Sequence, residues 1–413
     1  MSKKFIKRKI IFILFLLFPM IKFDVQATNY YVGYFLSECI DNVFVIWDFI
    51  SIGIIVGLYL LEIKKKGLKF IESYVVISLI LFIIFTYSTK MISSMSMYRI
   101  FRELSNMIAF LMLANLFHKE KSLYFIQAFY YNITFLMILN SLSIYLLEPW
   151  YINETGSVYY LFGLDNATFL ITLCGFCSGF IYHLTKYDRL HFSYLFIYLF
   201  ISGAYFYTAS ATGMAISILC VFFLVTHRFK IYKLLSYKIT CILLLGIFSF
   251  VVINTSFASH FSWLLSTLGK SSDFNGRVHL WQVAFEQLTQ YKWLGYGVSS
   301  KTISDMFTAG GLSWKAAHMH NLILEYLIKG GVIGFLLFCS MWLIKIKKLE
   351  KIKNNIISTS IYVMLLISFL MYMFDYRIVD ISFWIYLFLL SEIDSLQKNY
   401  EYYKMRKRSF ILN

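Results

Sequence analysis

The chain has 413 residues, of which 59% are apolar, 15% are charged and only two are proline. A soluble fold of this length needs more charge to wet its surface, so the composition excludes that class. The formal net charge of +16 does not point to nucleic acid, because the basic residues fall in short clusters between apolar runs, at 3–9, 64–69, 119–121, 186–189, 228–238, 345–353 and 398–408.

Twelve apolar runs succeed one another, at 10–23, 43–61, 70–88, 99–117, 123–147, 161–182, 192–209, 211–226, 239–258, 321–343, 356–374 and 378–393. A helical crossing of the hydrocarbon core takes about 20 residues, and the period-two alternation of a membrane β-barrel is missing. The predicted fold is an all-α polytopic membrane protein of about 12 transmembrane helices. With the basic clusters on one face every run alternates, and 27 of the 38 Lys and Arg lie on that face. This is the positive-inside pattern, which puts both termini inside and makes anionic membrane lipid the partner of the basic segments.

The first run, between Lys3–Lys9 and Val25-Gln26-Ala27, has the layout of a secretory signal peptide. It is read here as a retained helix, and the remaining topology is the same either way. Cys174 and Cys177 form a lone CxxC inside an apolar run, which reads as two small buried hydrophobes rather than half of a metal site. No internal repeat or paired broken helices of the kind common in secondary transporters is visible.

Hydropathy divides the chain into 1–258, with nine spans, an extracytoplasmic loop at 259–320, and 321–413, with three spans and a basic tail. A loop of roughly sixty residues is usually functional or disordered, and its Trp, Tyr, Phe and Leu content argues against disorder. Val278 to Gln290 predicts an amphipathic helix, with Trp281, Ala284, Phe285 and Leu288 at helical spacing and Gln282, Glu286 and Gln287 opposite. Asp273-Phe274-Asn275-Gly276 offers its N-cap. The apolar stripe has two possible seats, the membrane interface or the mouth of a cavity between the spans.

Polar residues at membrane depth or at its rim need a partner or a role. Arg99 and Arg102, with Glu103, sit at the outer end of the fourth run and share a helix face. They either snorkel to headgroups or form a positive site able to hold a diphosphate. Arg277 stands at the start of the loop helix, where N–H groups, the macrodipole and a bidentate guanidinium favour an anion; its other reading is a surface decoration. His320 and Asn321 stand where the chain returns to the membrane, beside His318. An imidazole there can take a proton from a sugar hydroxyl, and His318 reads as structural. Glu325 and Lys329 are spaced to pair along a helix, and Asp165 and Asn166 read either as caps of the sixth span or as polar groups of an outer site. No zinc-protease pattern, P-loop or dinucleotide fingerprint occurs, so no metal and no cofactor is expected.

Several segments share an order with a known family. Asn275-Gly276-Arg277-Val278-His279-Leu280-Trp281, then Leu294-Gly295-Tyr296-Gly297, then His320-Asn321 with Leu324 and Gly330-Gly331-Val332-Ile333-Gly334, resembles the O-antigen ligase and polymerase superfamily. Gly163-Leu164-Asp165-Asn166 and Ser210-Ala211-Thr212-Gly213 resemble its weaker upstream motifs. Many members carry Ser-Arg where this chain has Ser210-Ala211, so a phosphate contact from that turn is not carried over.

The resemblance implies a GT-C-like fold and metal-independent glycosyl transfer at the outer face of a bacterial cytoplasmic membrane. The implied donor is a glycan on a polyprenyl diphosphate such as undecaprenyl diphosphate. The implied site has Arg277 and His320 as catalytic groups, and Arg99, Arg102, Asn321, Asp165, Asn166 and Glu325 around the substrate. The reading favoured is a Wzy-type repeat-unit polymerase for capsule, O-antigen or exopolysaccharide, with a flippase and a chain-length regulator as implied protein partners. A ligase using another acceptor is the first alternative. A flippase or transporter of lipid-linked glycans is the second, and it calls for charges deep within several spans.

Overall fold

The computed structural model describes residues 3–21, 25–152, 158–208, 210–229, 277–312, 316–351, 356–373 and 381–411. The expected span 239–258, the expected cap 273–276 and most of the 228–238 cluster lie outside the described residues.

The helices follow the apolar runs. They are α1 (Lys3–Leu17), α2 (Val25–Val32), α3 (Tyr34–Lys66), α4 (Ser73–Ile92), α5 (Met97–Leu116), α6 (Ser122–Leu146), α7 (Asp165–Tyr187), α8 (Phe192–Tyr207) and α9 (Ala211–Phe229). After the undescribed stretch come α10 (Arg277–Leu288), α11 (Ser300–Ala309), α12 (Leu322–Lys351), α13 (Ile356–Tyr372), α14 (Ile385–Ser391) and α15 (Ile393–Ile411). Among the described residues, five helices are long and apolar enough to cross a membrane, within α3, α4, α6, α7 and α12, and four shorter apolar helices accompany them. Helix α5 is less apolar because Arg99, Arg102 and Glu103 occupy its first two turns.

Among the described residues, one departure from an all-helical fold lies between α6 and α7. Strands β1 (Tyr151–Ile152), β2 (Val158–Tyr160) and β3 (Gly163–Leu164) form an antiparallel sheet in that order, with Tyr151 opposite Tyr159. Strands of two or three residues carry no readable alternation, so hydropathy merged the last of them into the sixth span.

Helix α7 sits at the centre of the bundle. Its Gly175 and Gly179 are four residues apart, and a Cβ there would stand 2.5 Å from Ile133 Cγ2 and 2.6 Å from the Tyr130 ring. Small residues at that spacing let membrane helices approach closely. Cys174 and Cys177 are buried in the same core, beside the hydroxyls of Tyr372 and Tyr386.

The two ends of the bundle differ. At one end Lys345 Nζ donates to Glu72 Oε2 at 2.6 Å, His118 lies between Glu72 and Glu392, and Tyr400 donates to Asp188 Oδ1 at 2.7 Å. Lys9 lies over the Tyr124 ring at this end. The described basic clusters therefore share one end, as hydropathy required. The loop helices α10 and α11 occupy the other end, where α4 finishes and α12 begins.

Candidate active site

Helix α10 begins at Arg277, one residue before the predicted start. Its Leu280, Trp281, Val283 and Ala284 are buried, while His279, Gln282 and Glu286 are exposed. The apolar stripe is covered neither by membrane nor by an open mouth. It joins Ile303, Met306 and Phe307 of α11 with Leu312, Met319, Leu324 and Ile328 in a second hydrophobic core, against which Ile92 of α4 packs. The described residues 277–312 and 316–320 thus form a folded cap with its own interior.

Backbone contact fixes this cap to the bundle. Helix α12 is broken at Gly331 (φ 61, ψ −168), which frees main-chain groups on both sides. The segment before α11 satisfies them: Tyr296 N donates to Ile328 O at 2.7 Å and Gly297 N to Lys329 O at 3.0 Å. In return Val332 N donates to Lys292 O at 2.8 Å and Ile333 N to Trp293 O at 3.2 Å. Helix α4 holds the other side, with Ser88 Oγ donating to Leu294 O at 2.6 Å and Val298 N donating to Thr89 Oγ1 at 2.9 Å. Gly295 and Gly297 have φ of +71 and +75, and a Cβ on Gly295 would lie 2.5 Å from both Gly331 N and Ile328 O. Only glycine meets the dihedral and the approach together. Tyr296 donates its hydroxyl to Gln287 O at 3.0 Å and to Gln290 Oε1 at 3.1 Å. Burial, with Tyr291 adding to it, pushes its phenol up to about 12, so it stays a neutral donor.

The histidine turn lies under α10. Trp281 Nε1 donates to Met319 O at 2.9 Å, inside the protein. Arg277 is four residues before Trp281, about 6 Å along the same helix face. The bond to Met319 therefore seats Trp281 of the first motif against the turn that carries the His-Asn motif. His318 and His320 flank Met319 and are half-buried, with ring centroids 4.0 Å apart. His320 has φ 50, a left-handed conformation that costs a non-glycine residue about 1 kcal/mol and needs its surroundings to enforce it.

Asn321 and Glu325 are fully buried, each with partners inside the protein. Asn321 Oδ1 accepts from Ile323 N at 3.0 Å and Leu324 N at 3.1 Å, capping α12, while Nδ2 donates to Met373 O at 2.8 Å beyond the end of α13. Glu325 Oε2 accepts from Met319 N at 3.0 Å, and its other oxygen is bonded by Lys329 Nζ. Both side chains are thus engaged inside the protein, at the turn and at the start of α12.

Arg99 and Arg102 are exposed on the first turns of α5, which Ser96 caps by accepting from Arg99 N at 3.4 Å. Only four residues separate Ile92, packed on the cap, from this helix, so the arginines lie at the cap end. Asp165 and Asn166 open α7 directly after β3; their side chains lie outside the described residues. Ser210 caps α9, its hydroxyl accepting from Gly213 N at 3.4 Å, and Gly213 lies against the Tyr205 ring. Ser88 and Thr89, which receive the loop, and Lys329 were not singled out as site residues by the sequence. Adjacent hydroxyls near the end of an apolar run were the available signal, and a common one.

Fold and site together define a helical membrane protein with its motif residues gathered on one capped end. A family model described as O-Antigen ligase matches residues 196–339, from within α8 to within α12. That match, over about a third of the chain, supports the likeness to the O-antigen ligase/polymerase superfamily. No curated protein matches the chain.

Proposed function

We propose that this protein is a repeat-unit polymerase, transferring a glycan from a polyprenyl diphosphate to a sugar hydroxyl of another lipid-linked repeat unit. The observation that carries the reading is the Trp281–Met319 hydrogen bond, which joins the arginine motif to the histidine motif at the end opposite the basic clusters. With the basic end facing the cytoplasm, the cap lies on the outer face of a bacterial cytoplasmic membrane.

The acceptor oxygen attacks the anomeric carbon, and the anomeric C–O bond breaks with its electron pair leaving on the diphosphate. His320 takes the hydroxyl proton as the new bond forms. The added charge on the diphosphate falls to Arg277, with Arg99 and Arg102 as further cations and Asp165 and Asn166 near the sugars. Asn321 and Glu325 hold the turn that carries His320. No resident metal or cofactor is required. A flippase would deliver the substrate and a chain-length regulator would act on the product.

The family description favours a second reading, a ligase that joins the glycan to a different acceptor. Surface glycan from a strain carrying His320→Ala separates the outcomes. Polymerase loss leaves a single repeat unit, ligase loss leaves polymer on its lipid carrier, and an unchanged long-chain ladder refutes the role of His320.

A further inference from the structure

We infer that Glu325 and Lys329 form a buried positioning pair for His320, acting through the Met319 peptide; the inference rests on His320 facing the acceptor hydroxyl. Glu325 has no exposed surface and Lys329 is 6% exposed, so a charge is held in the interior on each side of the pair. A pair that served only α12 would need no third partner. Here one Glu325 oxygen meets Lys329, and the other accepts from Met319 N at 3.0 Å.

Both polar backbone groups of Met319 are held, its N–H by Glu325 and its carbonyl by Trp281. The residue after it, His320, has φ 50, and two hydrogen bonds on the residue before it are the kind of restraint that holds such a conformation. Lys329 adds a second connection, because its own carbonyl accepts from Gly297 N at 3.0 Å. The Leu294–Gly297 lock, the ion pair and the histidine turn therefore form one continuous chain of bonds. Glu325 and Lys329 touch no substrate in this scheme; they set where the His320 ring stands.

Order along the helix distinguishes this role from simple stabilisation. The exchanged pair E325K/K329E keeps two opposite charges one turn apart in the same interior, yet it sets a donor against the Met319 N–H. The companion variants E325Q/K329M, which keeps a carbonyl acceptor for Met319 and removes both charges, and E325L/K329M, which removes the acceptor too, complete the set. Purified proteins would be assayed for elongation of a synthetic polyprenyl-diphosphate repeat unit, with kcat and KM measured separately.

A positioning role predicts that the exchanged pair accumulates in the membrane but loses kcat on the order of tenfold to a hundredfold, with KM nearly unchanged. E325Q/K329M, which keeps the acceptor but loses the ion pair, has a kcat between those of the wild type and E325L/K329M. An exchanged pair with wild-type kcat overturns the inference. If the exchanged pair fails to accumulate, the companion variants decide: equal kcat in the two overturns it, and a larger loss in E325L/K329M supports it. His320→Ala is run alongside. Elongation surviving His320→Ala refutes the catalytic reading itself, whereas loss there with full kcat in the exchanged pair refutes only the positioning role.

Discussion

Gly295→Ala, set against Gly311→Ala, measures how much the cap depends on close backbone approach. Both glycines lie in the left-handed region, at φ +71 and +88, so each substitution meets the same dihedral penalty of about 1 kcal/mol. The entropy that alanine removes from the unfolded chain is also common to both. They differ in their surroundings. A Cβ at 311 meets nothing within 4 Å, while at 295 it lies 2.5 Å from Gly331 N and Ile328 O, which are backbone atoms with no rotamer to give. Forcing a methyl into such packing costs about 1–3 kcal/mol, so Gly295→Ala is expected to destabilise by about 2–4 kcal/mol in all. Detergent-solubilised protein titrated with denaturant gives the difference, and limited proteolysis within 277–312 shows whether the cap loosens first. Equal stability of the two variants would refute the account of the Leu294–Gly297 lock.

Other consequences are open to direct measurement. Arg277→Lys keeps the charge but loses the planar fork, so elongation should fall by at least tenfold if the diphosphate is held by a bidentate bond, as an in vitro elongation assay can show. Trp281→Phe removes the bond to Met319 and leaves a buried carbonyl unsatisfied, a loss of about 1–3 kcal/mol readable in the same denaturant titration. Asn321→Ala removes the cap of α12 and the bond to Met373, and a loss of about 1–3 kcal/mol should appear as reduced accumulation in membranes. Elongation should persist in excess chelator; its abolition there would overturn the metal-independent scheme.

Much of the fold was legible because membrane helices declare themselves one at a time. The apolar runs overlap the described helices that follow them, although α3 reaches from Tyr34 to Lys66 where hydropathy gave 43–61, and the described basic clusters meet at one end. The small sheet at 151–164 was hidden because its strands are too short for any period. At the site, legibility stopped at chemistry. Arg277 and His320 stood out as groups able to hold an anion and accept a proton. Asn321 and Glu325 were expected around the substrate, and both are fully buried among partners inside the protein. Sequence spacing shows that Glu325 reaches Lys329, but not that its second oxygen faces Met319 N, six residues back across a turn.

By itself, the sequence determined that this is a helical membrane protein, which end is basic, and which residues could do the chemistry, because burial of apolar length and the placement of charge are local properties. The tertiary structure decided how the described part of the loop packs. The apolar face of α10 found its partner in α11 and the start of α12 rather than in the bilayer. The glycines at 295 and 297 found theirs in α12 and, about two hundred residues away, in α4. Those are contacts between distant segments, and no local pattern encodes which backbone will come within 3 Å of another.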